Sequence, residues 1–407
     1  MSVPGQTMGM AVFADAFIDV TGLSRTQLST TYLIGTLGSA FLLTRAGRWY
    51  DYLGARTMLV ASSLLLGLMV LFLSIVDLIA GGIANLLGFS LALVSFPLMA
   101  LGYFGVRFAG QGVLTNASRN ILLVWFERRR GLVSGVRGVF VSLGFSIAPL
   151  VIAWLMDSAG WRGALFWMAA IVGLGFALIA LLLARNHPSS SGLLADGQHA
   201  DEARTNSDDT PSLTVAQARR DIVFWIYALS LSIHALFGTA VVFHIVAIFD
   251  AAGRSRAEAF AYFIPQAVVS VTTNLIGSTL ADHMRLKPLL LVMLAAFICG
   301  AWGLVHLTET WGFWLLVTGF GFGGGLWGVL SNLVFIRHYG ALHLGEISGL
   351  NTSLTVTASA IGPVFFSLAL DYFGTFDAAA YACIAGLLGL LLVAAMVKQP
   401  RDRKPGL

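Results

Sequence analysis

Residues 131–164 read GLVSGVRGVFVSLGFSIAPLVIAWLMDSAGWRGA, and residues 345–378 read GEISGLNTSLTVTASAIGPVFFSLALDYFGTFDA. The two stretches match at a constant offset of 214: Gly131 with Gly345, Ser134 with Ser348, Gly135 with Gly349, Pro149 with Pro363, Asp157 with Asp371, Gly160 with Gly374 and Ala164 with Ala378. Gly110 and Gly324 keep the same offset. At an offset of 231, Gly47, Asp51, Gly54 and Arg56 face Ser278, Asp282, Arg285 and Lys287. The matches fall largely on breaker and small packing residues, where chance agreement is least expected. They describe two halves in parallel repeat, an arrangement found in transporters with a site near the midplane of the bilayer.

Composition agrees. The chain has 407 residues, 57% of them hydrophobic and 11% charged, with a mean hydropathy of +0.83. Soluble domains carry roughly 25% charged residues, so this chain belongs in lipid. An ordinary soluble enzyme, a nucleic-acid-binding module and a disordered scaffold are excluded. A span needs about 20 apolar residues, and twelve are expected: 1–20, 25–46, 57–78, 94–124, 131–157, 161–185, 221–249, 256–281, 287–308, 311–337, 345–371 and 376–397. The apolar stretch 79–93 reads as an outer loop with an interfacial helical turn. The expected fold is therefore an all-α membrane protein of twelve transmembrane helices in two six-helix repeats.

Residues 186–212 are polar and rich in Ser, Asp, Gly and Pro, the composition of a flexible linker. The expected organisation is an N-terminal bundle over 1–185, a cytoplasmic linker over 186–220, a C-terminal bundle over 221–397 and a cytoplasmic tail over 398–407. Within the linker, Thr214 offers an N-cap for a short helix, Val215–Arg220. With both termini in the cytoplasm, only Arg25, Arg162, Arg254 and Arg256 fall in outer loops, and Arg107, Arg119 and Arg137 lie inside spans. All other basic residues then lie on the inner side, as the positive-inside rule requires of an inner-membrane protein. Cys299 and Cys383 sit in apolar runs and read as two buried small hydrophobes.

The loop Gly47-Arg48-Trp49-Tyr50-Asp51-Tyr52-Leu53-Gly54-Ala55-Arg56 resembles the Gly-x-x-x-Asp-x-x-Gly-x-Arg motif of the major facilitator superfamily. Arg107-Phe-Ala-Gly-Gln-Gly112 resembles its span-four arginine motif, and Gly160-Trp161-Arg162 its turn before span six. The resemblance covers the whole chain and implies the major facilitator fold. Within the superfamily, Pro4-Gly5-Gln6-Thr7, Gly22-Leu23-Ser24-Arg25, Gly110-Gln111-Gly112 with Ser118-Arg119, and Trp125-Phe126-Glu127-Arg128-Arg129-Arg130-Gly131 look like prokaryotic monocarboxylate-transporter-like proteins, a group related to oxalate:formate exchangers. There are departures. Span eight lacks the Asp and Arg of better-known monocarboxylate carriers in its membrane part, and span eleven lacks the Lys of oxalate-type carriers. The Pro-Gly-Gln-Thr stretch lies mid-helix in relatives but directly follows the initiator here, so an upstream start or a shortened first helix is expected.

Ionisable groups at membrane depth are costly and usually functional. Arg107 lies halfway along span four, His234 near the middle of span seven and His244 nearer its outer end. No acid falls deep in any span, so a carboxylate substrate suits the planar fork of Arg107. The plainer reading has Arg107 holding spans together through backbone carbonyls. Tyr103, Arg107, Gln111 and Thr115 recur every four residues and share one helical face. Gln266, Ser270 and Asn274 do the same in span eight, and Asn351, Thr355 and Ser359 in span eleven. Gln6 and Thr7 add polar groups in span one. The expected substrate contacts are Arg107, Gln111, Tyr103, His234, Gln266, Asn274 and Asn351. Gly47, Asp51, Gly54, Arg56 and Asp282 are the expected gate residues. Arg119, Arg137 and the glycines of span ten read as structural, and Pro149 and Pro363 as kinks.

No His-Glu-x-x-His, P-loop or Gly-x-Ser-x-Gly elbow occurs, so no enzyme activity, metal or cofactor is expected. The expected function is secondary active transport of a small organic anion, monocarboxylate-like, by a monomer in the lipid bilayer, with a co-transported proton or an exchanged anion and no nucleic acid. A proton-coupled exporter of drugs or amphiphiles is the alternative within the superfamily. The Pro149 region lacks the Gly-Pro-x-x-Gly-Gly pattern of exporters. A receptor or sensor on a transporter scaffold is the alternative from another class.

Overall fold

The computed structural model describes residues 2–197 and 212–398, which are almost wholly helical. Residues 198–211 of the expected linker and 399–407 of the expected tail lie outside the described residues, as do the side chains of Thr7 and Pro149. In order, the α-helices are α1 (Thr7–Ala11), α2 (Ala14–Thr21), α3 (Arg25–Ser74), α4 (Val76–Leu87), α5 (Leu91–Val106), α6 (Thr115–Trp125), α7 (Arg130–Ala169), α8 (Ala177–Leu183), α9 (Val215–Ala218), α10 (Ile222–Ala251), α11 (Arg256–Ala261), α12 (Phe263–His283), α13 (Leu286–Val305), α14 (Thr310–Tyr339), α15 (Leu344–Phe373) and α16 (Asp377–Met396). Two π-helices, Arg107–Leu114 and Ala170–Phe176, join α5 to α6 and α7 to α8.

Among the described residues, nine helices are long and apolar enough to cross a membrane. The number falls below twelve because two pairs of spans run together and the first passage is broken into short helices. Thr26–Ser74 has 49 residues, about 73 Å at 1.5 Å per residue, more than twice the roughly 30 Å hydrocarbon core. It is two spans meeting at Gly54, whose φ of 82° and ψ of 166° break the helix. Gly160 divides α7 in the same way (φ 71°, ψ 170°). The first passage is not one continuous helix over 1–20. Extended Gln6 (φ −95°, ψ 155°) separates Val3–Gly5 from α1, and α1 and α2 are separate helices.

Local chemistry sets the helix ends. Ser24 Oγ accepts from Gln27 N at 3.2 Å, and Gln27 Oε1 accepts from Ser24 N at 2.8 Å, a capping box that starts α3. Thr214 and Gln217 form another at α9, as expected, although that helix ends at Ala218 rather than Arg220. Residues 79–93 correct the reading of a loop with one helical turn. The 12 residues of α4 make a helix about 18 Å long, too short to span. Ala80 and Ala84 pack with Val94, Ile83 and Leu98, so the next span starts at Leu91 and not at 94.

The chain forms two compact units. Unit one comprises Met1–Ile121, Phe140–Leu193 and Ser348–Ser353; unit two comprises Leu122–Val139, Leu194–Ile347 and Leu354–Leu407. In lipid, close packing replaces the hydrophobic effect between helices, so small residues mark the contacts. In unit one, a Cβ on Gly35 would lie 2.6 Å from Phe104 N, and one on Gly67 2.5 Å from Gly173 Cα. In unit two, a Cβ on Gly319 would lie 2.4 Å from Gly300 N, and one on Gly323 2.3 Å from the Phe297 ring. The span-ten glycines are therefore packing surfaces, and α14 runs unbroken through all of them. Pro363 likewise lies inside an unbroken α15. Cys383 is buried, but Cys299 is exposed, because its side of α13 is not covered by another helix.

Candidate functional site

In unit one, Arg107 opens the π-helix and is only 3% exposed. Its Nη1 donates to Gly5 O at 3.3 Å, and its guanidinium lies over the Tyr32 ring at 5.3 Å. Tyr32 meets Tyr103 edge-on at 5.2 Å. The carbonyl is within reach because the backbones touch: a Cβ on Gly5 would lie 2.5 Å from Gly110 Cα. Pro4 and Gly5 shape the short turn on one side, and Gly110 in the wide turn permits the approach on the other.

The π-helix alters the expected stripe. Its bonds run i→i+5, so a spacing of four no longer keeps one face. Thr115 Oγ1 reaches back five residues to Gly110 O at 2.9 Å. Tyr103 and Arg107 are buried, while Gln111 and Thr115 are half-buried. Gln111 Oε1 is buried without a hydrogen-bond partner among the described residues. Ser2, Gln6 and Thr115 form a polar knot, with Ser2 Oγ 2.8 Å from Thr115 Oγ1 and Gln6 Nε2 donating to Ser2 Oγ at 3.1 Å.

Unit one also contains Asn351, buried at 3%, beside a network that sequence reasoning missed. Asn120 Nδ2 donates to Ser348 Oγ at 3.0 Å, Thr352 Oγ1 donates to Asn116 Oδ1 at 3.1 Å, and Arg119 Nη2 donates to Asn116 Oδ1 at 2.6 Å. The i, i+4 pairs Asn116/Asn120 and Ser348/Thr352 were the available signal.

In unit two, His234 stacks on Phe297 at 4.2 Å and 17° and lies 5.4 Å from the Trp327 ring. Its Nδ1 is buried without a hydrogen-bond partner among the described residues. Asn274 Nδ2 donates to Gly325 O at 3.0 Å, with Gly138 and Gly328 pressed against the same amide. Gln266 is half-buried near Gly324. His234, Gln266 and Asn274 thus belong to one unit, and Arg107, Tyr103, Gln111 and Asn351 to the other. His244 has structural work: its Nε2 lies 3.0 Å from Pro363 O and 3.3 Å from Ser367 Oγ.

Of the expected gate residues, Gly47 and Asp51 lie in α3 just before its break at Gly54. Arg56 N donates to Asn186 Oδ1 at 2.9 Å, and the Arg56 guanidinium donates to Leu181 O. Asp282 is the best-defined member. Its Oδ1 accepts from Gly131 N at 2.7 Å and its Oδ2 from Leu132 N at 3.0 Å, which satisfies the first turn of α7. Arg337 Nη2 stands 3.4 Å from the same carboxylate. A further pair, Arg162 and Asp77, joins the Gly-Trp-Arg turn to the start of α4, and Arg162 Nη1 also donates to Ser74 O at 2.8 Å.

A family model described as the Major Facilitator Superfamily matches residues 5–363. The chain therefore belongs to that superfamily of membrane transporters. No curated protein matches it by sequence. Among solved structures, it is similar to a bacterial homologue of the iron transporter ferroportin in an outward-facing state (TM-score 0.70, 16% identity, covering 97% of this chain and 96% of that one). It is also similar to the proton:xylose symporter XylE bound to a bromo-deoxyglucose (0.62, 14%, 96% and 91%) and to the human organic anion transporter MFSD10 (0.55, 19%, 94% and 87%). These likenesses establish the fold.

Proposed function

We propose that this chain is a secondary active transporter that moves a small monocarboxylate-like anion across the cytoplasmic membrane by alternating access. The observation that carries this reading is the Arg107 guanidinium, buried at 3% exposure on the first residue of a π-helical turn. Such wide turns occur frequently at functional sites. A guanidinium presents a planar fork matched to a carboxylate, Tyr103 and Gln111 lie one turn from that charge on either side, and Asn351 is a further buried polar group of the same unit. His234, Gln266 and Asn274 are the substrate contacts of unit two. Gly47, Asp51, Gly54, Arg56 and Asp282 form the gate, with both chain ends in the cytoplasm and a proton or a counter-anion as the coupled species. The narrower kinship with prokaryotic monocarboxylate-transporter-like proteins rests on the sequence motifs.

Counterflow of labelled monocarboxylates into proteoliposomes tests the reading. Arg107→Ala abolishes it, and Arg107→Lys restores little, because an ammonium lacks the fork. Uptake at the wild-type rate by Arg107→Ala refutes the anchor.

A further inference from the structure

Helix α7 carries another arginine at membrane depth. Leu132, Val136, Phe140, Leu143 and Ile147 are exposed large hydrophobic residues at spacings of three and four, the pattern of one lipid-facing stripe. Gly131, Gly135 and Gly138 form a second face, pressed on α12: their Cβ atoms would lie 2.0 Å from Ser278 O, 2.9 Å from Ser278 Cβ and 2.7 Å from Asn274 Oδ1. Arg137 falls between these faces, about 100° round the helix from Val136 on one side and from Gly138 on the other. It is half-buried and makes no hydrogen bond, ion pair or ring contact with any described residue. Arg107 and Arg119, by contrast, both donate to protein oxygens.

The surroundings also lack partners. Asn274 Oδ1, beside Gly138, and Ser278 Oγ, one turn along α12, are buried with no hydrogen-bond partner among the described residues. At the offset of 214, the repeat equivalent of Arg137 is Asn351, a buried polar residue, so this register of the helix carries polar groups in both halves. A guanidinium at membrane depth without a protein acceptor is costly, and an anionic ligand removes that cost.

We propose that Arg137 binds the carboxylate of the transported anion, as the charged contact of unit two alongside the neutral groups His234, Gln266 and Asn274. This rests on the organic-anion reading above. The test uses the purified full chain in detergent, with thermal unfolding followed in the presence of acetate, lactate and benzoate. If a carboxylate stabilises the wild type, Arg137→Ala and Arg137→Met should weaken its apparent Kd at least tenfold. Arg137→Lys should fall between them and wild type. Because Arg137 has no partner among the described residues, the ligand-free midpoints of the Ala and Met variants should equal or exceed that of the wild type. An unchanged ligand-induced shift in Arg137→Ala overturns this inference and leaves the organic-anion reading standing. Ligand-free midpoints several degrees lower in both Ala and Met variants, or failure of both to fold, also overturn it, since they mark a structural arginine. No shift of the wild type with any of the three carboxylates removes the organic-anion reading and this inference with it.

Discussion

Replacing Asp282 by Ala tests how the start of α7 is held. The carboxylate accepts two backbone amides, from Gly131 at 2.7 Å and Leu132 at 3.0 Å. It also stands 3.4 Å from Arg337, and the two side chains are 8% and 4% exposed, so solvent screens them little. A capping carboxylate is worth up to about 2 kcal/mol, and hydrogen bonds to charged groups about 1.5–3 kcal/mol each. The longer contact with Arg337 adds about 1 kcal/mol. These terms are not additive, and a combined loss of about 3–4 kcal/mol is expected. At 1.4 kcal/mol per decade, the opened form of the first turn of α7 becomes roughly 10²–10³ times more populated. Hydrogen–deuterium exchange reads this directly at the amides of Gly131 and Leu132. Asp282→Asn should lie between, because its side chain keeps one acceptor and turns a donor towards the other amide. Exchange within α13 serves as the control and should not change. Wild-type protection at 131 and 132 in Asp282→Ala would refute the claim that this carboxylate holds the helix start.

Gly110→Ala should lower thermal stability by about 1–3 kcal/mol, because its Cβ would sit 2.6 Å from Gly5 Cα; a wild-type midpoint would show that the two backbones are not in contact. His244→Ala should cost about 1 kcal/mol for the bond to Pro363 O and leave the pH profile of uptake unchanged. A shifted profile would instead make His244 a proton carrier.

Much of this fold is legible in the sequence because it depends on local chemistry. Ser24 with Gln27 and Thr214 with Gln217 mark helix starts, and Gly54 sits in the charged stretch Arg48–Arg56 that separates two apolar runs. The site is less legible. The π-helix at Arg107–Leu114 leaves no mark in the hydrophobic pattern, because a wider turn alters register without altering composition. Its only trace is Gly110 facing Gly5, with Gly112 against Leu43, and the meaning of Gly110 emerges from two backbones meeting 105 positions apart in the chain. The network of Asn116, Asn120, Ser348 and Thr352 was missed for a related reason. Each residue alone is an ordinary polar side chain, and it acquires a role from a partner more than 200 positions away. For α4, the apolar composition gave no way to distinguish a short packed helix from a loop.

Gly160 and Gly374, matched across the repeat, both adopt a φ of 71°. Neither has any atom within 4 Å of where a side chain would begin, so crowding does not keep them glycine. What keeps them is handedness: most other residues are strained at that φ. The two stretches can therefore differ at most other side chains and even in ψ, which is 170° at Gly160 and 5° at Gly374, yet both keep a glycine where φ turns positive. The constraint is local to this turn: at the other matched glycine, Gly54 (φ 82°) faces Arg285 (φ −70°), so a positive φ is kept across the repeat where the chain leaves these two helices and not as a general record of it.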